Sequence, residues 1–366
     1  MIDKESIRSS KKSFFINTLL PSMSGYTGGS SGVPLHVRRS FISSIFQSAV
    51  RDHLTLLCSG VEWKKAKVAV IRGAEVKAAS DNSPPYWRSS DNGMTLELSS
   101  FHLNESTVDS YAQALMDFSP SVLWVYPSSL EVLAKLLPDS FDLPSLKVIF
   151  SSSEVLSREV RLIASNKLSA GIVDFYCQAE RVCCSYSING KEHFFLPLYG
   201  RVDLIFSHED EDFSYYEIAG TALWNSAMPL VKYKTGDMAK LRKGLSESDV
   251  EKICFGLTPF CGIHGRTNDF IISPNGTKLM SMNQIPWGVD GVTQLQVHQT
   301  AKDKVVIRVV PNGSFSLDDE IKIIRNARKK IPLSMGVEIE KVRELFRTPL
   351  GKTPFVIREE ENQEKA

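Results

Sequence analysis

The sequence predicts an α/β protein with a large N-terminal mixed α/β domain, which includes a β-rich subdomain, and a small C-terminal α+β domain. Helix-period and strand-period segments alternate up to residue 177, which is typical of βαβ units around a mostly parallel sheet. From about Tyr199 onward, apolar strands are joined by short turns. A shorter block of strands and one amphipathic helix follows residue 265.

The N-terminal elements follow from the spacing of apolar residues. Four segments have helical spacing, and four short apolar runs between them are typical of buried strands. The predicted helices cover 40–60, 108–120, 128–137 and 157–168. The predicted strands cover 67–73, 121–127, 146–152 and 171–177.

The remaining elements form two groups. Strands over 202–206, 215–225 and 229–241 predict the β-rich subdomain. Strands over 294–300, 304–311 and 337–345, with a helix over 317–331, predict the C-terminal α+β domain. We place the boundary after residue 265, so the predicted domains are 1–265 and 266–366.

Composition excludes several classes of function. The 366 residues carry 43 Lys+Arg against 42 Asp+Glu, so no basic footprint for nucleic acid is present. No run approaches the roughly 18 apolar residues of a membrane span, and the start does not have the pattern of a signal peptide. Six scattered cysteines favour a reducing, cytoplasmic setting. We expect small-molecule substrates and locally recognised partners.

The stretch TGGSSGVP, residues 27–34, has the composition of a phosphate-binding loop. Its glycines permit a sharp turn with exposed N–H groups, and its hydroxyls can donate further hydrogen bonds. The Walker lysine is absent, because Val33 occupies its place. On composition alone, a flexible linker is an equally good interpretation.

Polar residues follow two predicted strands at the edge where ligands bind in parallel sheets. In FYCQAER, Tyr176 can stack on a base and Glu180 can ligate Mg²⁺ together with substrate phosphates. In SSSEVL, Glu154 can contact a ligand or provide the acidic charge of a helix start. Taken singly, a core tyrosine, a surface glutamate and a helix-start charge explain these residues better.

Two further phrases contain candidate site residues. In NSAMPLVKYKTGD, a strand enters a predicted tight turn, where Asp237 either bonds its own backbone or accepts the hydroxyls of a ribose. In RTPLGKTPF, Lys352 is either a solvated loop lysine or a cation that reaches a phosphate. The cysteine spacing does not fit zinc, and the nucleophile elbow GxSxG is absent.

The order of these motifs is more specific than any one of them. TGGSSGVP, SSSEVL, FYCQAERV, NSAMPLVKYKTGD, GIHGRTNDFI and PLGK together resemble the adenylate-forming superfamily of acyl-CoA synthetases and related ligases. The wording of YCQAERV and GTALWNSAMPLVKYKTGD is similar to the phenylacetate-CoA ligase branch and its CapK-type proteins. The resemblance extends from about Tyr26 to Val356 and implies that the C-terminal domain is mobile.

The resemblance also implies roles for individual residues. The catalytic residue is the adenylation lysine, Lys352; the hinge is Asn268; and the magnesium ligand is Glu180. Tyr176 stacks on adenine and Asp237 holds the ribose hydroxyls. The implied ATP-binding residues are Thr27, Gly28, Gly29, Ser30, Ser31, Gly32, Ser153, Glu154, Tyr176, Gln178, Asp237 and Arg266.

The implied activity is ATP- and Mg²⁺-dependent activation of a carboxylic acid as an acyl-adenylate, followed by transfer to CoA, a carrier-protein thiol or an amine. The alternatives are an acyl-protein or carrier-protein synthetase, and a non-catalytic nucleotide-binding relative. Segments 101–104, 126–129 and 151–153 are expected to line the acid pocket. About 25 residues precede the phosphate loop, so we expect either that a second copy or a partner covers that pocket or that the acid binds in a more open cleft.

Two positions depart from the family pattern. Cys177 stands where relatives usually have glycine, and Asn268 stands where they usually have aspartate. Asparagine tolerates similar backbone angles, so the hinge assignment is kept.

Overall fold

The structure, a computed structural model, describes the chain in segments. These are residues 1–17, 19, 21–26, 35–72, 76–78, 81–104, 106–156, 158–190, 192–209, 211–264, 270–279, 282, 285–286, 288–289, 291–311, 314–343, 345–346 and 355–358. Among these residues, no helix combines the length and the hydropathy needed to cross a membrane.

An eight-stranded sheet forms the centre of the N-terminal part. Its strand order is β10-β9-β8-β7-β6-β3-β5-β4, and the five strands β5, β3, β6, β7 and β8 run parallel to their neighbours. The bounds are β3 Val68–Ile71, β4 Trp87–Ser90, β5 Thr95–Leu98, β6 Val122–Val125, β7 Val148–Ser152, β8 Gly171–Cys177, β9 Cys184–Ile188 and β10 Phe194–Phe195. This arrangement confirms the predicted α/β class with a mostly parallel sheet.

Helices cover both faces of this sheet, as the near-continuous apolar strands require. On one face, α3 packs against a cluster that includes Val68, Val148 and Val173. On the other face, α4, α5 and α6 pack against a cluster that includes Leu123 and Ile149. The bounds are α3 Phe41–Ser59, α4 Val108–Phe118, α5 Pro127–Leu136 and α6 Arg158–Leu168.

The β-rich subdomain is a four-stranded antiparallel sheet of order β11-β12-β13-β14. Its core also buries Ile7 of the first helix and Val37, which belongs to a hairpin of β1 and β2. The bounds are α1 Lys4–Ser9, α2 Lys11–Phe14, β1 Ser22–Tyr26, β2 His36–Ser40, β11 Gly200–Glu209, β12 Phe213–Ala222, β13 Tyr233–Arg242, α7 Glu247–Cys254 and β14 Gly262–His264.

A second four-stranded sheet, of order β19-β18-β17-β20, forms the C-terminal part with α8 packed on it. It has its own buried apolar cluster, which includes Val297, Ile307 and Ile323. The bounds are β15 Ile271–Ile272, β16 Lys278–Leu279, β17 Val292–Ala301, β18 Lys304–Pro311, α8 Leu317–Arg328, β19 Gly336–Lys341 and β20 Val356–Arg358. The predicted boundary at 265/266 lies outside the described residues.

The ends of the helices follow from local side chains. The Ser40 hydroxyl caps the start of α3, and Gly60 ends it with a φ of 72°. Capping boxes begin α7 at Ser246 and α8 at Ser316. Sequence analysis missed several short elements: α1, α2, α7, the β1–β2 hairpin and strands β4, β5, β9, β10, β14, β15, β16 and β20.

Two glycines allow the backbones of the two N-terminal sheets to meet. A Cβ on Gly200 would lie 1.7 Å from the Val182 carbonyl oxygen, and one on Gly220 would lie 2.8 Å from Val182 Cγ2. Gly200 begins β11, and Val182 lies between β8 and β9. The β-rich subdomain therefore joins the large sheet through direct backbone packing.

We predict that Gly200→Ala lowers the free energy of unfolding by about 3 kcal/mol or more, because the methyl group cannot fit without moving Val182. Urea unfolding followed by tryptophan fluorescence measures this. Gly244→Ala is the control, because Gly244 has a φ of 76° but no atom near its missing Cβ. It should cost only about 1 kcal/mol. Equal costs for both variants would contradict the packing argument.

Candidate functional site

Three of the predicted site segments lie along one edge of the large sheet. Tyr126, Ser153 and Tyr176 stand at or just beyond the carboxyl ends of the adjacent parallel strands β6, β7 and β8. Ligands bind at this edge in open α/β sheets. The edge is therefore the natural place to examine the remaining candidates.

Tyr176 and Asp237, which are 61 positions apart in sequence, contact each other here. The Tyr176 hydroxyl donates to Asp237 Oδ2 over 2.9 Å. Burial, and then the neighbouring Asp237 carboxylate, raise the pKa of the Tyr176 phenol well above its usual value. The phenol thus stays protonated and remains a donor, which fixes the carboxylate beside the aromatic ring.

Asp237 lies in a bulge of β13, although the sequence predicted a tight turn. Between Lys234 and Met238 the strand advances four residues, while the partner strand β12 advances only from Glu217 to Ala219. Gly236 has a φ of 78°, which a glycine adopts without strain. The two extra residues bend the strand and direct Asp237 toward the sheet edge.

Thr235 closes the bulge. Its hydroxyl donates to the Ile218 carbonyl over 3.0 Å and accepts from the Asp237 amide over 3.1 Å. These bonds replace ladder bonds that the bulge removes, which satisfies buried backbone groups. The Thr-Gly-Asp phrase thereby has a local structural role as well as a candidate binding role.

Glu180 is buried, with a side chain that is only 3% exposed. Its Oε1 accepts a hydrogen bond of 2.5 Å from the hydroxyl of Tyr233, the first residue of β13. A single protein carboxylate combined with substrate phosphates is a common way to hold Mg²⁺, so this donor set fits that ion. No cluster of three or more metal-ligating side chains occurs within the described part of the chain.

Gln178 is turned toward the protein. Its Oε1 accepts from the Cys183 amide over 3.4 Å, and its Nε2 donates to Cys183 Sγ over 3.2 Å. The side chain therefore braces the connection between β8 and β9. Its predicted part in ATP binding remains a prediction.

Cys177, the departure from the usual glycine, is held by polar neighbours. Its thiol lies 3.3 Å from Gln47 Oε1 and 3.2 Å from the Tyr199 hydroxyl. Burial raises the pKa of this thiol, so it is a neutral packing group. Gln47 of α3 thus links the helix to the strand that bears Tyr176.

Arg72 is a site residue that the sequence analysis missed. Its Nη2 donates to Ser153 Oγ over 2.8 Å, and its Cζ lies 4.2 Å from the centre of the Trp124 ring. Burial lowers the pKa of the guanidinium, while Tyr126 and then Glu154 nearby favour its charge. The available signal was a charged residue directly after a buried strand.

Asn225, in the NSAMP phrase, was also missed as a structural link. Its Oδ1 accepts from the Ser40 amide, and its Nδ2 donates to the Arg38 carbonyl, both over 2.8 Å. The side chain is 2% exposed. It therefore ties strand β2, which follows the predicted phosphate loop, to the subdomain that bears Asp237.

The C-terminal part touches one of the segments predicted to line the acid pocket. Lys330 Nζ lies 4.6 Å from the centre of the Phe101 ring, and both residues are at least 95% buried. A cation over an aromatic face is attractive, more so when it is shielded from water.

Several predicted site residues lie outside the described residues. These are the loop Thr27, Gly28, Gly29, Ser30, Ser31 and Gly32, together with Arg266, Asn268 and Lys352. Glu154 is described, and it follows β7 in a bend with a half-buried side chain.

We predict that Tyr233→Phe lowers the free energy of unfolding by about 2 kcal/mol, because it leaves the buried Glu180 carboxyl without this donor. Thermal and urea unfolding measure the loss. Tyr186→Phe is the matched control: it also removes a hydroxyl from a strand, and none of the described residues bonds that hydroxyl. A change above about 1 kcal/mol in the control, or none in Tyr233→Phe, would contradict this account.

Comparison with known proteins shows a similarity to CapK-type proteins. Residues 271–359 match the family model described as the CapK C-terminal domain. Protein CapK of Staphylococcus aureus is 21% identical over 306 residues, which are 81% of this chain. The match spans 65% of that relative, which is less than two thirds of its length.

Solved structures with a similar course of the chain include a CoA ligase and the protein MbtA. A 2-hydroxyisobutyryl-CoA ligase in complex with 2-HIB-AMP and CoA has a TM-score of 0.48 at 14% identity, covering 100% of this chain and 82% of that one. Mycobacterium smegmatis MbtA has a TM-score of 0.43 at 12% identity, covering 96% and 72% respectively. Similarities at this level do not by themselves indicate an activity.

The family match, the CapK relative and the order of the motifs agree with one another. The C-terminal part of the chain therefore matches the CapK C-terminal domain family, and the chain is similar to protein CapK over 81% of its length.

Proposed function

We propose that this protein activates a carboxylic acid with ATP as an acyl-adenylate and passes the acyl group to a thiol or an amine. The observation that carries the proposal is the convergence of Tyr176, Asp237 and Glu180 at the carboxyl edge of the sheet. In a nucleotide site, the Tyr176 ring suits the base and the fixed Asp237 carboxylate suits the ribose. The buried Glu180 carboxyl suits the metal-bound phosphates.

In the first step, an oxygen of the acid attacks the α-phosphorus of ATP. The bond between that phosphorus and the bridging oxygen breaks, and pyrophosphate leaves with the bonding electrons. In this proposal Lys352 neutralises charge as it develops, and Thr27 to Gly32 hold the phosphates. Mg²⁺, held at Glu180, would further neutralise the phosphates.

In the second step, the acceptor sulfur or nitrogen attacks the acyl carbon and AMP leaves, while the acceptor loses its proton. CoA, a carrier-protein thiol and an amine are all suitable acceptors for this chemistry. We propose that a movement about Asn268 separates the two steps by withdrawing Lys352. The Lys330–Phe101 contact supports an approach of the C-terminal part to the acid segment.

The experiment that tests the proposal is acid-dependent exchange of pyrophosphate into ATP, measured with a panel of carboxylic acids. Exchange with at least one acid supports adenylation. Absence of exchange with every acid, in a protein that still binds ATP, would instead indicate a non-catalytic relative. Mass spectrometry of the products, with CoA, carrier protein or amines added, then identifies the acceptor.

We predict that Lys352→Ala lowers the exchange rate at least about 100-fold, because the transition state loses a cation that compensates its charge. The matched control is Lys302→Ala, which removes an exposed lysine from the turn between β17 and β18. The control should exchange at the wild-type rate. If Lys352→Ala is equally fast, the lysine has no part in adenylation.

We predict that Asp237→Ala raises the Kd for ATP about tenfold or more, because a charge-assisted hydrogen bond to the ribose is lost. The alanine variant also frees the Tyr176 hydroxyl. Binding of 2′-deoxy-ATP, which lacks one of the two ribose hydroxyls, is therefore an internal check on the contact between Asp237 and the ribose. Wild type should bind 2′-deoxy-ATP more weakly than ATP, whereas the variant should bind both alike. An unchanged Kd for ATP would rule out the assigned role of Asp237.

A further inference from the structure

Two arginines that the proposed mechanism does not use lie next to the candidate site. Arg39 is on β2, and Arg181 follows Glu180 directly. Both side chains are half-buried. Neither guanidinium pairs with a described carboxylate within 4.0 Å. Taking a charge out of water is costly unless it is paired, so a bound anion would stabilise both side chains.

Each guanidinium is fixed by a backbone carbonyl. Arg39 Nε donates to the Ala179 carbonyl over 2.9 Å, and Arg181 Nη1 donates to the Ser43 carbonyl over 3.2 Å. Each bond uses one donor of a five-donor group, so most donors of both side chains remain for a ligand. The two cations are thereby held in defined positions before any ligand binds.

The two charges are close enough to influence each other. Burial, and then the positive charge of Arg181, lower the pKa of Arg39, while Glu180 partly opposes this effect. The Glu180 carboxyl, which interacts with Arg39, is already bonded to Tyr233. The local balance is positive, and an anion would relieve the repulsion.

The Arg39 guanidinium lies against Gly25 on the other strand of the hairpin. A Cβ on Gly25 would lie 3.0 Å from both Cζ and Nη2 of Arg39. Gly25 stands next to Tyr26, where β1 ends and residue 27 follows. The guanidinium therefore occupies the space that a side chain at Gly25 would fill. Gly25 precedes the first residue of the predicted phosphate loop by two positions in the sequence.

Arg181 brings the start of a helix into the same place. Ser43 lies in the first turn of the 19-residue helix α3, whose N-terminal end carries positive partial charge. Arg181 itself has a φ of 60°, which is unfavourable for a side-chain-bearing residue. Such conformations persist where the surrounding structure holds them, and they are common at ligand sites.

We propose that Arg39 and Arg181 form a two-guanidinium site for a pyrophosphate group, namely the β- and γ-phosphates of ATP and the inorganic pyrophosphate that leaves. The paired, planar forks match the several oxygens of a pyrophosphate better than one lysine does. The inference rests on the proposed function and adds two residues to it.

The test is calorimetric titration of wild type, Arg39→Gln and Arg181→Gln with Mg²⁺ and three probes: ATP, inorganic pyrophosphate and AMP. We expect each variant to bind ATP and pyrophosphate about tenfold more weakly, because charge-assisted bonds to the terminal phosphates are lost. AMP, which has no such phosphates, should bind within twofold of wild type. Arg39→Lys should recover part of the pyrophosphate affinity.

Arg38→Gln is the matched control. Arg38 is the neighbouring residue on the same strand but faces the other way, with its Nη1 3.4 Å from Asn17 Oδ1 and its Cζ 5.7 Å from the Phe15 ring centre. It should bind all three probes as wild type does. Thermal melting verifies that each variant is folded; if Arg39→Gln is not, Arg39→Lys and Arg181→Gln provide the comparison.

The outcomes separate this inference from the proposed function. Unchanged pyrophosphate and ATP binding in both variants, or an equal loss for AMP, overturns the two-guanidinium site even if wild type exchanges pyrophosphate normally. Arginine-dependent pyrophosphate binding in a wild type that adenylates no acid supports the site and overturns the ligase activity.

Discussion

The buried carboxyl of Glu180 is the constraint on which the candidate site depends. A carboxyl taken out of water needs hydrogen-bond donors, and Tyr233 supplies one from another sheet. To reach it, β13 must pass beside the turn that follows β8. The same passage places the bulge of β13, and with it Asp237, against Tyr176. The need of the buried Glu180 carboxyl for a donor thus fixes the distance between the large sheet and the sheet of the β-rich subdomain.

Three residues beside the candidate site have positive φ values. Ser153 follows β7, Arg181 lies between β8 and β9, and Gly236 lies in the bulge of β13. For the serine and the arginine, this conformation costs free energy that the rest of the fold must offset. The compensating contacts are hydrogen bonds: Arg72 holds Ser153, and the Ser43 carbonyl holds Arg181.

Much of this arrangement could be predicted from the sequence, because the strands are long apolar runs and the polar phrases follow them directly. The order of β6, β7 and β8 then places Tyr126, Ser153 and Tyr176 on one edge. The bulge at Asp237 could not be predicted, since a glycine with positive φ suits a turn and a bulge equally well. The proposed role of Arg39 depends on its contact with Gly25 on the other strand of the hairpin. The sequence RRS does not reveal which of its two arginines faces that glycine.

The missed elements have a common physical cause. Helix α7 has eight residues and strands β4 and β5 have four each, so each is too short for apolar periodicity to identify it. The capping pair Ser246 and Asp249 was the one local signal for α7. Asn225 could not be recognised from apolar periodicity either. It acts through two hydrogen bonds to β2, which lies 185 residues earlier in the sequence.

The backbone contact at Gly200 and Gly220 has a consequence for how such a protein can diverge. Because no layer of side chains separates Val182 from these glycines, compensating exchanges of large and small residues cannot occur there. The two N-terminal sheets must therefore be inherited with their relative placement unchanged, and with them the sheet edge that carries Tyr176, Asp237 and Glu180. New substrate preferences can then arise only from residues at the opposite end, on the loops after β3, β5 and β6. Duplicated copies of such a gene would be expected to differ there first.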